Sequence, residues 1–417
     1  MAPASLYAVW AWLFVCLGLC IAVLGPSIPA FRDDFSVSLA TAGALFTVHS
    51  IGYFGGVLLA GPLADRRGRR PVAALGAAGL LTGTALAALA PGWGWFLAAM
   101  IPSGFGFAFV DVGLNAAIGD AVVDPRRRAA VMNLLHGAFP LGTLAAPAGL
   151  ALAWQLGLDW RATFLVIAAL VAFALVPLVV RGPKWPEHHA PGHVTAANAA
   201  DGVLLVPPRR TKNVLSLLRE PVLARLALVQ GLYVGVELGI AGWIATYMVD
   251  AFGAGEGAGA LATSVYWGGF LAGRPVMAYV THQFGPSRTL PWLIGVAALA
   301  AGAAIFAQGA LLATIAYLVT ALAISGLFPT LMAMSLQGRS GDAGRVAALI
   351  TAAASLGGLV WPWLVGYVAD VAGIRVAMAT AALPLLAMLP LSRFSDTAPA
   401  PKEVTESRMP AAAGIHS

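Results

Sequence analysis

Polar residues in this chain come in short clusters, and between the clusters run apolar stretches of about 20 residues, the length that crosses a hydrocarbon core about 30 Å thick. Twelve such stretches can be marked off. They run roughly from Tyr7 to Ala30, Leu39 to Ala64, Pro71 to Ala90, Trp93 to Gly119, Ala129 to Leu156, Arg161 to Val180, Val222 to Val249, Gly257 to Thr281, Thr289 to Ala307, Ala310 to Leu336, Val346 to Ala369, and Gly373 to Leu391. Each predicts one membrane-spanning helix. The pattern therefore predicts an all-α polytopic membrane protein, and an even number of spans puts both termini on the same side.

The polar clusters alternate in charge. One set holds ADRRGRR, DPRRR, the stretch with Arg181, Lys184, Arg209, Arg210, Lys212 and Arg219, then GPSR, QGRSGDAGR and the tail; the other holds little beyond Arg32, Arg161 and Arg375. Lys and Arg concentrate in cytoplasmic loops, so the first set, with Arg66, Arg127, Arg209 and Arg339, is expected to face the cytoplasm. This places the chain in the inner membrane with both termini inside. Composition agrees on the solvent: of 417 residues 59% are hydrophobic and only 10% charged, against roughly 25% in soluble domains, and mean hydropathy is +0.84. The net charge of +6 reflects that loop bias and implies no nucleic-acid partner. Both cysteines, Cys16 and Cys20, fall in the first apolar stretch and read as small core residues. No Lys or Arg precedes Arg32, so the first stretch lacks the basic flank of a cleaved signal peptide and is expected to be a retained helix.

The segment beginning at Arg181 is the one long polar interruption, rich in Pro, Gly and Ala. It divides the chain into a six-helix bundle over 1–181, a cytoplasmic loop over 182–221, a second bundle over 222–392 and a disordered tail over 393–417. His188, His189 and His193 lie in the loop without Cys or clustered carboxylates to complete a metal site, so a flexible linker is expected and no metal. The two halves repeat each other. Gly68 after the second stretch matches Gly285 after the eighth, and Gly142 with Pro147 in the fifth matches Gly357 with Pro362 in the eleventh. Parallel six-helix halves with a site at their interface are one of the transporter plans.

GPLADRRGRRP, from Gly61, resembles the loop signature of the major facilitator superfamily, matched here by Gly61, Asp65, Gly68, Arg69 and Arg70. The resemblance extends over nearly the whole chain and implies alternating access around a cavity. In it Gly61 lets helices approach closely, and Asp65 faces a helix N-terminus beside basic residues as a conformational latch; a plain topogenic basic cluster is the other reading of this loop. DVGLN with Asp111 and Asn115, NLLHG with Asn133 and His136, and WRATF resemble the fucose-permease-like branch, which implies proton-coupled sugar uptake with a coupling carboxylate in the fourth helix. Three positions depart from related patterns. Met100 stands where many drug exporters and sugar porters carry arginine, Ala146 stands where antiporters carry glycine before Pro147, and the first helix has no companion carboxylate.

A carboxylate in mid-membrane costs about 2.5 to 3.5 kcal/mol on insertion scales, so it faces a cavity or a partner. Asp111 is the only charge between Trp93 and Gly119, with Asn115 one turn on along the same face. They read either as a proton site beside a substrate-binding amide or as a buried packing pair. Glu237 is the only charge between Arg225 and Asp250, followed at helical spacing by Trp243 and Tyr247, aromatics that suit a sugar-like ligand or a core equally. Arg274 could bind an anionic substrate, pair with Glu237 or extend to the interface; His136 and His49 could relay protons or simply pack. No phosphate loop, nucleophile elbow or metal-spaced set points to an enzyme, and no cofactor is expected. The favoured reading is a monomeric carrier whose partners are a small-molecule substrate, protons and the lipid bilayer, taking up a small polar, sugar-like solute with protons. A proton-linked exporter of hydrophobic compounds is the alternative, and a non-transporting membrane sensor a third.

Overall fold

The structure, a computed structural model, describes residues 3–122, 124–180, 185, 214–337, 339 and 343–394. Helices α1 (Ala4–Ala22) and α2 (Ile28–Phe35), α3 (Leu39–Arg67), α4 (Arg69–Ala88), α5 (Trp93–Ala121), α6 (Pro125–His136), α7 (Phe139–Gln155) and α8 (Trp160–Val179) form the first half. After a short 3-10 turn at Val214–Arg219, α9 (Pro221–Phe252), α10 (Glu256–Phe284), α11 (Pro286–Ile305), α12 (Ala310–Ile324), α13 (Leu327–Leu336), α14 (Ala343–Ala372) and α15 (Ile374–Leu391) form the second. Among the described residues, eleven helical stretches are long and apolar enough to cross a bilayer; α10, with 29 residues, completes six spans per half. The expected loop over 182–221, with its three histidines, and the expected tail lie almost wholly outside the described residues.

Three stretches that read as continuous apolar runs are broken helices. The first breaks over Val23–Ser27, the fifth at Gly137–Ala138 and the tenth at Ser325–Gly326. Pro26, Pro140 and Pro329 at these places lack the N–H that would continue the ladder, and a proline ring clashes with the carbonyl four residues back. Hydropathy sums report that a segment is apolar and are blind to such missing donors.

The duplication reappears as equivalent packing. Gly142 on α7 lies against Gly18 on α1, where an added Cβ would sit 3.0 Å from the Gly18 Cα and strike the Val15 carbonyl. Gly357 on α14 lies in the same way against α9, its Cβ position 3.0 Å from the Gly235 nitrogen and pressed on the Gly231 carbonyl. Small residues let helix backbones approach where lipid offers no hydrophobic gain for association. Gly68 and Gly285, the other repeated pair, both hold positive φ, +88° and +79°.

The halves meet along α3 with α14 and α7 with α10. Their contact is tight at the end that carries the start of α3, here the closed end. Arg32 bridges to Asp250 at 2.8 Å, the Leu39 and Ala40 amides each donate to Asp370 at 2.8 Å, and Thr47 donates to the Leu359 carbonyl at 2.9 Å. Toward the other end, which holds the basic α3–α4 turn, the halves part. A Cβ at Gly43 would lie 3.3 Å from the Trp363 Cα. Gly61, roughly five turns further along the same face of α3, would meet nothing within 4 Å.

Candidate functional site

Five of the residues singled out from sequence come together in the gap between the halves. Asp111, Asn115, His136, Glu237 and Arg274 are each half-buried. On α5, Asn115 Nδ2 donates to Asp111 Oδ1 at 2.8 Å, and Tyr53 on α3 donates its hydroxyl to Asp111 Oδ2 at 3.3 Å. The other face of the Asn115 amide, Oδ1, lies 2.8 Å from His136 Nε2 at the end of α6. An amide whose nitrogen serves the carboxylate has only its oxygen left to offer, so His136 Nε2 is the donor in this arrangement.

The connection to the second half goes through the main chain. Arg274 Nη1 on α10 donates to the His136 carbonyl at 3.4 Å. That carbonyl is available because residue 140, which would donate to it in a continuous helix, is proline. Arg274 is the cation of this group, and its Nε makes no hydrogen bond among the described residues. Tyr233 lies one turn before Glu237 on α9, and Tyr266 on α10 donates to the Glu237 carbonyl at 3.3 Å. A run of polar groups therefore joins α3, α5, α6, α10 and α9 across the two halves.

Toward the closed end the gap narrows to a cavity of about 30 Å³ lined by Phe46, His49, Ser50, Leu238, Gly242 and Trp267, among others. This is room for about one water. His49, one turn before Tyr53, is buried, and its Nε2 makes no hydrogen bond among the described residues.

Trp243 and Tyr247 stand apart from this group. Both are fully buried: Trp243 seals α9 against α14 through Pro362, and the Tyr247 hydroxyl donates to the carbonyls of Ala304 and Ile305 at 3.0 and 3.2 Å. Each has used its polar atom on the backbone, so neither offers an aromatic face to the gap. Tyr53, Tyr233 and Tyr266 are the additions. Tyr233 could have been found from its spacing to Glu237; nothing in sequence links Tyr53 to Asp111 across two helices. The Asn133 side chain lies outside the described residues, and Trp160 of WRATF donates to Asp34 at 2.7 Å, away from the gap.

The loop residues form a local charge cluster. Arg69 bridges Asp65 at 2.7 Å and Asp120 at 2.9 Å, which ties α3, α4 and α5 together. Arg70 donates to the carbonyls of Leu178, Pro177 and Val180 at 2.9, 3.3 and 2.5 Å, capping the C-terminal end of α8. Gly68 supplies the turn with its positive φ. Gly61 differs from expectation: among the described residues an added Cβ there would meet nothing within 4 Å, so it makes no close helix approach in this state.

The major facilitator superfamily profile matches residues 10–338 and, in an overlapping second match, 226–415. The chain belongs to the major facilitator superfamily. With its apolar helices it is a multi-pass membrane protein of that family. Among curated proteins, the multidrug resistance protein MdtL of Escherichia coli O81 (strain ED1a) is 32% identical over 154 residues, 37% of this chain and 39% of that protein. The match thus spans about two fifths of that relative's length. Solved structures with the same fold include the bacterial homologue of the human lysosomal transporter Spinster in an inward-facing and occupied conformation, with TM-score 0.73 at 15% identity, covering 93% of this chain and 95% of the other. The D-xylose–proton symporter has TM-score 0.72 at 16% identity, over 93% and 96%.

Proposed function

We propose that this chain is a proton-coupled carrier of a small polar, sugar-like solute, importing it across the inner membrane. It would work as a monomer with both termini and the basic loops in the cytoplasm, so the parted end opens inward. The observation that carries the reading is the hydrogen-bonded run Tyr53–Asp111–Asn115–His136, continued by Arg274 and Glu237 across the gap between the halves. A buried carboxylate that can take and release a proton is suited to coupling. When Asp111 is protonated it can donate to Asn115 Oδ1, and the amide turns over to present Nδ2 to His136. His136 Nε2 then gives up its proton, to water in the gap if the ring was charged or through water to Nδ1 if it was neutral, and becomes the acceptor. Protonation of α5 is thereby reported to α6 by one amide rotation and one proton released from His136 Nε2, and through the His136 main chain to the half that carries Arg274.

Asp65 with Arg69 and Arg70 is the latch in this reading, engaged when the basic end closes. Gly61 would then come against the second half, which its open surroundings in this state leave room for. Bundles over 1–181 and 222–392 move about the central segment.

The 32% identity to a multidrug resistance protein over 154 residues favours a second reading, a proton-linked exporter of hydrophobic compounds. Proteoliposomes with an imposed pH gradient separate the two. Solute accumulation on the alkaline side from D-xylose or a related sugar supports symport. Extrusion of a dye such as ethidium against the proton flow supports antiport, and facilitated exchange insensitive to pH removes proton coupling altogether.

A further inference from the structure

The latch signature at the basic end of α3 has a second copy at the closed end of α14. Ala64, Asp65, Gly68 and Arg70 recur with identical spacing as Ala369, Asp370, Gly373 and Arg375. The two copies also agree in structure. Each aspartate lies in the last turn of a long helix, each glycine turns the chain into the next helix with φ of +88° and +87°, and each arginine caps a neighbouring helix. Arg70 serves the carbonyls ending α8, and Arg375 Nη1 donates to the Ile305 carbonyl ending α11 at 2.8 Å.

The helices that carry the two copies pack on each other antiparallel. Leu39 pairs with Asp370 and Thr47 with Leu359, so residue numbers on α14 fall as those on α3 rise. Continuing that register along α3 sets Asp65 opposite the start of α14, which begins at Ala343. Each aspartate thus belongs to the C-terminal end of one helix and faces the N-terminal end of the other, where backbone N–H groups are free and the helix dipole favours a negative charge. In this state the Asp370 cap is made. The Asp370 carboxylate accepts from the Leu39 and Ala40 amides at 2.8 Å each. At the far end of the same pair Gly61 faces open space, and Asp65 bonds Arg69 on its own side.

We propose that Asp370 is a positioning residue of the transport cycle, the counterpart of Asp65: it holds the closed end shut by capping α3 and releases as Asp65 caps α14. The two caps alternate because α3 and α14 touch over one end of their length at a time. This rests on the alternating-access reading above.

The test uses the full chain with Cys16→Ala and Cys20→Ala, spin-labelled at one of two pairs. Leu158→Cys with Phe306→Cys reports the closed end, and Val180→Cys with Phe284→Cys reports the basic end; all four positions are exposed. Distance distributions give the ratio of the two states. Asp370→Ala is expected to shift that ratio about five-fold toward opening at the Leu158–Phe306 end, the size of a lost helix cap. Asp65→Ala shifts it the opposite way, and the double substitution returns it toward the starting ratio. An unchanged ratio in Asp370→Ala, or a shift in the same direction as Asp65→Ala, overturns the proposal. If the unsubstituted carrier shows one fixed distance at each end, in liposomes at pH 5 and pH 8 alike, alternating access itself fails and the latch pair with it.

Discussion

Arg274 reaches the main-chain carbonyl of His136 across the gap between the halves, at 3.4 Å, and it can do so because Pro140 leaves that carbonyl without a helical donor. A side chain of one bundle thus docks on a helix break of the other. Pro140→Ala would restore an N–H at the position that normally pairs with residue 136. The carbonyl would then be satisfied within its own span, the break would tighten, and Arg274 would lose its docking point. Transport in proteoliposomes is expected to fall about ten-fold, the scale of one lost charge-assisted hydrogen bond, with surface expression unchanged. Transport at the wild-type rate would mean that the break and the arginine act independently.

Asn115 serves Asp111 with its nitrogen and His136 with its oxygen, so the hydrogen-bonded link between the two titratable groups runs through this amide. A double-mutant cycle isolates that link. His136→Gln alone is expected to alter the pH profile of solute exchange. In an Asn115→Leu background the same substitution is expected to leave the profile where Asn115→Leu put it. Additive effects of the two substitutions would show that His136 senses pH by another route.

The glycine pairs that bring α1 onto α7 and α9 onto α14 leave no space for a side chain. Gly142→Val and Gly357→Val are each expected to cost about 3 kcal/mol or more, as overpacking against backbone does, and to lower the yield of monodisperse protein in detergent. Gly149→Val, where a Cβ meets nothing within 4 Å, is the control and is expected to behave as wild type. Size-exclusion profiles and thermal unfolding check all three.

Most of the architecture was legible in the sequence because the bilayer imposes it: an apolar stretch must be a helix of a certain length, and both repeated glycine pairs were visible by offset. The breaks at Pro26, Pro140 and Pro329 were written in the sequence too, but a hydropathy average conceals one missing donor among twenty apolar residues. At the site, Asp111, Asn115, His136, Glu237 and Arg274 announced themselves as polar groups in apolar surroundings. Trp243 and Tyr247 shared the helical spacing of Glu237 yet turned into the packing, since spacing fixes a face and says nothing about what covers it. Tyr53 was invisible for the opposite reason: its partner Asp111 lies 58 positions away, and a tyrosine in a membrane helix is unremarkable until that partner is placed beside it.

Asp111 is held on one side by the Tyr53 hydroxyl and on the other by the Asn115 amide, both donors, and both suited to the charged form. No cation among its described hydrogen-bond partners neutralises it; the nearest compensating charge would be a protonated His136. A carrier that closes around such a group must either bring a proton or carry the bare charge through an occluded state at a cost of several kcal/mol. Asp111→Asn keeps the shape, makes the group permanently neutral and supplies no titration. The substitution is therefore expected to abolish accumulation driven by an imposed pH gradient, while counterflow exchange of solute across the membrane persists at a rate within about ten-fold of wild type and loses its pH dependence. The measurement is paired uptake and counterflow in the same proteoliposomes. If the Asp111→Asn carrier still concentrates solute when only a pH difference is applied, the coupling proton is bound elsewhere, and Glu237, on the other side of the gap, becomes the group to substitute next.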